Sequence, residues 1–143
     1  MFSQSVRNVM KRQKFLTASP MTSVKRACVL MARRNVGAVM IVQRGRLLGI
    51  FTERDAVFRV VAKGCDPETT RLADVMTVSP KTVDPDKSYG HALVIMHDNG
   101  FRHVPVIENG KPVGIVSARS ALDPDMEEFE VEARRRKHLH ETL

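Results

Sequence analysis

Thr52 and Asp55 stand three residues apart, where a run of apolar residues gives way to a helical pattern. At a strand-to-helix junction the backbone N–H groups point outward and the helix dipole favours an anion. A hydroxyl placed there can cap the helix or bond a phosphate oxygen. An ionised carboxylate one turn later is acceptor-only, so it can take both hydroxyl protons of a vicinal diol. One turn of chain would thus offer partners for a phosphate and a ribose. The same spacing is that of a capping box, and spacing alone favours the cap.

An internal duplication bears on that choice. Residues 15–55 align without a gap on residues 80–120 at a constant offset of 65, with 11 of 41 positions identical, among them Thr17/Thr82, Pro20/Pro85, Gly49/Gly114 and Arg54/Arg119. A lead-in recurs one residue out of register, Asn8-Val9-Met10 against Asp74-Val75-Met76. Two such units are expected to pack on each other, because neither buries its apolar face alone. The first copy closes Gly-Ile-Phe-Thr-Glu-Arg-Asp (49–55) and the second Gly-Ile-Val-Ser-Ala-Arg-Ser (114–120), so Ser120 stands where the first has Asp55. Arg102 and His103 stand opposite Gly37 and Ala38. A guanidinium can fork onto phosphate oxygens, and a histidine can donate a hydrogen bond. A cap needed only for structure has no reason to carry its acid in one copy alone, so the asymmetry points to a ligand.

The elements that would position these residues are legible in each copy. Val24, Ala27, Cys28 and Met31 fall at i, i+3, i+4, i+7, as do Tyr89, Ala92, Leu93 and Met96; each set is one apolar helix face. Left-handed caps are expected near Asn35 and Asn99-Gly100. Strands over 39–42 and 104–107 lead into turns at Arg44-Gly45 and Asn109-Gly110, with return strands over 47–51 and 112–116. After Thr52 a helix is expected to run through Ala56, Val57, Val60 and Val61 to Lys63-Gly64. The unit reads β-α-β-β-α, twice, an α/β (α+β) fold. From Asp123 the chain reads as a charged helix, acids first and Arg134–Lys137 later, the order a helix dipole favours.

Composition narrows the function. The 143 residues are 43% apolar with a net charge of +7, enough for a real core. Residues 1–122 carry 19 basic and 9 acidic side chains, a balance that favours anionic partners or simple solubility. No apolar run reaches the roughly 18 residues of a membrane span. The basic N-terminus has the composition of a transit peptide, but its Val-Met pair is repeated inside the chain and reads as folded structure. Two cysteines make no disulfide framework; Cys28 is expected in the core and Cys65 as an exposed spectator, in a reduced, cytoplasmic compartment. His91, His97, His103, His138 and His140 form no metal-ligand pattern, and no P-loop, dinucleotide glycine motif or nucleophile elbow occurs. Aromatics are 5% with no Trp, so stacking platforms for nucleic acid are scarce.

The doubled unit, the Val-Met lead-ins, the Arg102-His103-Val104-Pro105-Val106 strand and the Gly-x-x-Thr-x-x-Asp ending at 49–55 together resemble a tandem pair of CBS domains, the Bateman module, over about residues 5–122. The resemblance implies two repeats packed about a pseudo-twofold axis, with 1–64 as the first repeat and its lead-in helix, 65–70 as linker, 71–122 as the second repeat and 123–143 as the charged tail. It implies a regulatory module rather than an enzyme, with no catalytic cofactor. The ligand would be an adenine nucleotide (AMP, ADP, ATP or NAD, with S-adenosylmethionine less favoured), and the module would signal to an unidentified regulated protein as a homodimer. By position, Thr52, Arg54 and Asp55 would meet Arg102 and His103 in one cleft, with Thr82 and Val83 at the adenine end. The other cleft would pair Ser117, Arg119 and Ser120 with Gly37 and Ala38, and would be degenerate. The competing readings are a nucleic-acid-binding module and a structural dimerisation module with no nucleotide.

Overall fold

A computed structural model of the chain describes residues 2–121 and 132–137. The order is α1 (Val6–Met10), β1 (Thr17–Ala18), α2 (Val24–Arg34), β2 (Ala38–Gln43), β3 (Arg46–Thr52), α3 (Glu53–Asp55), a π-helical turn (Ala56–Val61), α4 (Leu72–Val75), β4 (Thr77–Val78), α5 (Tyr89–Asn99), β5 (His103–Glu108), β6 (Lys111–Ser117) and a 3-10 turn (Ala118–Ala121). Four strands form one sheet in the order β1-β2-β3-β4, and β5-β6 form the second. β1 runs parallel to β2, and Val83 repeats that pairing as a parallel bridge to Val106.

Local sequence explains the shared parts. Ser23 and Ser88 cap α2 and α5 by accepting from the amides of Arg26 and His91. The two helices end in left-handed residues, Asn35 at φ 53° and Gly100 at φ 70°. Both hairpins turn through two left-handed residues, Arg44-Gly45 and Asn109-Gly110, the type I′ geometry that matches strand twist. The duplicated helix faces are buried through Val24, Ala27 and Met31 and through Tyr89, Ala92 and Met96. Ala38, Ile50 and Ile115 form a small apolar cluster between the two sheets.

The lead-ins show how the two units are joined. The amides of Leu72 and Ala73 bond the carbonyls of Thr22 and Pro20, and those of Val6 and Arg7 bond Lys87 and Pro85. The carbonyls keep the offset of 65 while the amides are one residue further apart, which accounts for the register slip in the sequence. α1, grouped in sequence with the first repeat, therefore packs in the second: Val6 and Val9 join the core of Val83, Tyr89, Val104, Val106 and Val116. α4 packs on the first repeat, where Leu72 and Val75 join Leu16, Val39, Ile41 and Phe51. Each lead-in also lies over a glycine. A Cβ at Gly49 would come within 2.7 Å of the Thr77 carbonyl oxygen, and one at Gly114 within 2.9 Å of Met10 Sδ.

Two expectations need correcting. The segment after Thr52 is one α-turn followed by a π-helical turn, in which the Ala62 and Cys65 amides bond the carbonyls five residues back. The wider turn carries Val60 inward and leaves Val57 and Val61 exposed, at 55% and 74%. Cys65 is no exposed spectator: it is partly buried against the first core, and its thiol donates to the Arg59 carbonyl. Cys28 does pack on that core, and burial pushes its thiol pKa up. Of the expected tail helix, residues 132–137 are helical and carry an Arg136–Glu132 pair; residues 122–131 and 138–143 lie outside the described residues. Among the described residues no helix is long and apolar enough to cross a membrane.

Candidate functional site

The junction of β3 and α3 forms the capping box that spacing allowed. The Thr52 amide and hydroxyl both donate to Asp55 Oδ2, at 2.9 and 3.2 Å, and Thr52 Oγ1 accepts from the Asp55 amide at 3.3 Å. The second copy keeps part of this pattern: the Ser117 amide donates to Ser120 Oγ at 3.2 Å, and the two hydroxyls lie 3.2 Å apart. A serine thus accepts from the same amide that Asp55 accepts from in the first copy, and the carboxylate adds a second oxygen and a charge. Asp55 Oδ2 serves the cap, while Oδ1 faces Arg59 Nε at 3.5 Å. Asp55 is 9% exposed.

Asp55 lies in the wall of a cavity of about 410 Å³. Thr52, Arg54 and Arg59 line it from the first repeat, Asn99, Gly100, Phe101 and His103 from the second, and Thr77, Ser79, Pro80 and Lys81 from the crossing segment between the sheets. Among the described residues Asp55 is the one carboxylate in this lining, against the cations Arg54, Arg59 and Lys81. Arg54 also stacks on the Phe58 ring, 4.9 Å from its centroid. His103 has its pKa lowered, chiefly by burial, against an opposing pull from Glu53 and with a smaller push from Arg102; burial thus favours the neutral ring.

Sequence position brought Thr52, Arg54, Asp55 and His103 together but misplaced three residues. Arg102 lines a second cavity, of about 450 Å³, with Gly37, Ala38, Ser117, Arg119, Gln13, Lys14 and Glu53. His103 borders both cavities, so it stands beside Arg102 in the second cavity and without it in the Asp55 cavity. Val83 is held inside the second sheet by Pro105 and Ile107 and is buried. Thr82 faces a third cavity, at the hairpin ends, with Arg44, Arg46 and Lys111. The segment just before them, Thr77–Lys81, forms the wall that Thr82 and Val83 were expected to form. Arg59 was also missed, although its i+4 spacing from Asp55 was a usable signal. A Cβ at Gly37 would sit 2.8 Å from Glu53 Oε1 and 3.4 Å from His103 Nε2, so a side chain there would displace the end of Glu53. Ser120 is buried beneath Ser117, outside the lining of the second cavity. Among the described residues no three His, Cys, Asp or Glu side chains are placed to hold a metal ion.

The duplicated fold is shared with known proteins. The CBS domain model matches residues 6–62 and 72–125. The CBS domain-containing protein CBSCBSPB2 of Arabidopsis thaliana is 39% identical over 114 residues, 79% of this chain; the chain spans about a fifth (21%) of that relative's length. The crystal structure of the CBS-domain containing protein ATU1752 from Agrobacterium tumefaciens superposes with a TM-score of 0.76 at 30% identity, covering 85% of this chain and 99% of that one. The CBS domain protein PAE2072 from Pyrobaculum aerophilum, solved in complex with AMP, shares the fold with a TM-score of 0.74 at 23% identity, covering 81% and 88%. With both units matched and the matched spans taking up most of its length, the chain belongs to the CBS domain family, as a tandem pair of repeats.

Proposed function

We propose that this chain is a regulatory module that binds an adenine nucleotide in the Asp55 cleft and passes its occupancy to a protein it regulates, without a catalytic step of its own. The observation that carries this reading is a carboxylate whose second oxygen is left over by the cap, in a cavity whose other charged lining residues, among the described residues, are cations. Asp55 would take the ribose diol through Oδ1, and Phe101 offers an aromatic face to the base. Arg54, Lys81 and neutral His103 would take the phosphates. The cationic excess favours AMP, ADP, ATP or NAD over S-adenosylmethionine, which brings a sulfonium and an ammonium of its own. The AMP complex of the Pyrobaculum protein supports the ligand class. Solvent-exposed Val57, Phe58 and Val61 on the turn behind the cleft form an apolar surface suited to homodimer contact.

A thermal-shift panel of AMP, ADP, ATP, NAD and S-adenosylmethionine tests the reading. A ligand at 100 times its Kd adds about 2.7 kcal/mol to stability, a rise of several degrees for a domain of this size. No rise with any of the five would remove its basis. A second reading, nucleic-acid binding, draws on Arg44, Arg46 and Lys111 at the hairpin ends. It calls for single-strand binding that weakens steeply with salt and is indifferent to AMP.

A further inference from the structure

We propose that Arg59 is a positioning residue that ties the ribose-facing oxygen of Asp55 to the backbone joining the two repeats, so that occupancy of the cleft is felt at the end of α4. The guanidinium spans two walls of the cavity. Its Nε lies 3.5 Å from Asp55 Oδ1, the oxygen left over by the cap. Its Nη1 donates to the carbonyls of Val75 and Met76, at 3.2 and 3.1 Å. Those are the last residue of α4 and its C-cap, where carbonyls lack helical partners and a cation is favoured. The chain continues directly from Met76 into the wall at Thr77–Lys81. That stretch cannot slide freely, because the Thr77 carbonyl is pressed against Gly49 and the Ser79 amide bonds the Leu48 carbonyl at 3.1 Å.

A planar fork with fixed donor directions can hold both partners at once; an ammonium on a flexible stem cannot do so in the same geometry. At the offset of 65 the sequence has Pro124 in place of Arg59, a residue with no side-chain donor. A ribose hydroxyl arriving at Oδ1 competes for the face that Arg59 occupies. The guanidinium must then rebalance toward Val75 and Met76, and the crossing segment registers the ligand. This half of the proposal rests on the nucleotide reading; the strut itself does not.

Amide hydrogen exchange at Met76 and Ser79 separates the two. In the ligand-free protein, Arg59→Gln and Asp55→Asn should each speed exchange at both amides, roughly threefold or more. The double variant should exchange no faster than Arg59→Gln alone, since both changes cut one link. Arg59→Lys, which keeps the charge, should resemble Arg59→Gln and guards against a folding defect. If Asp55→Asn leaves both amides unchanged, or if the two effects simply add, the strut is overturned. With saturating AMP the wild type should change its exchange at these amides. Arg59→Gln should bind AMP within about tenfold of wild type yet lose that change. An equal change in Arg59→Gln overturns the ligand-linked half. Failure of AMP to bind the wild type overturns it together with the nucleotide reading, and the ligand-free comparison still decides the strut.

Discussion

Replacing Asp55 with serine separates capping from ligand binding, because the second copy has already made that change. Ser120 accepts from the Ser117 amide at 3.2 Å, so Asp55→Ser can keep the bond that closes the turn after Thr52. What it removes is Oδ1 and the negative charge. The stability cost is then the lost Arg59 pair, whose Arg59 side chain is 45% exposed. Partly exposed pairs contribute about 0–1 kcal/mol, so the melting temperature should fall by only a few degrees. The binding cost is larger. A hydrogen bond to a charged group contributes about 1.5–3 kcal/mol; losing one corresponds to roughly a ten- to hundredfold weaker Kd. Calorimetric titration with AMP beside a denaturant melt measures both quantities on one preparation. Unchanged affinity would refute the ribose role of Asp55. A stability loss above about 3 kcal/mol would show instead that the carboxylate is structural.

Further outcomes follow from other contacts. Gly49→Ala should destabilise by about 1–3 kcal/mol, and more than Gly114→Ala, because the obstacle at Gly49 includes a backbone oxygen while that at Gly114 is the flexible Met10 side chain; paired urea melts measure the difference. The lowered pKa of His103 sets two opposite pH effects. Its contribution to stability is full above about pH 6.5, the unfolded value, and is lost as pH falls through the folded pKa. A bound phosphate favours the charged ring, so AMP affinity should rise as pH falls toward the folded pKa; His103→Gln should flatten that profile. Val61→Asp, on the exposed surface beside Val57 and Phe58, should shift the chain from dimer to monomer in sedimentation while leaving AMP affinity within about threefold of wild type.

The scaffold was legible wherever a residue type demands a backbone state. Asn-Gly at 109–110, the apolar faces of α2 and α5 and the left-handed ends at Asn35 and Gly100 all follow from local chemistry. The exchange of lead-ins was not legible, since a five-residue helix carries no mark of which core it joins; only the slipped register at Met10 and Met76 hinted at it. The π-turn was missed because its apolar residues fit an ordinary helical face, and the choice between them is made by backbone bonds such as Ala62 to Val57. The site divides in the same way. Thr52 and Asp55 are neighbours in sequence and could be paired from it. Arg102 was misassigned because it stands just before β5, where the cavity it lines is fixed only when the two sheets pack. Ser120 sharpened the argument from asymmetry, because it accepts from the Ser117 amide where the first copy uses an acid. A cap that works with serine leaves the carboxylate of Asp55 to be explained by something else.

The most direct measurement is the stoichiometry of nucleotide binding. Titrating the protein calorimetrically with whichever of AMP, ADP, ATP or NAD gives the largest thermal shift should yield one site per chain, abolished or severely weakened in Asp55→Ser and retained in Ser120→Ala. Two equivalent sites per chain, or a single site indifferent to Asp55, would contradict a module with one equipped cleft.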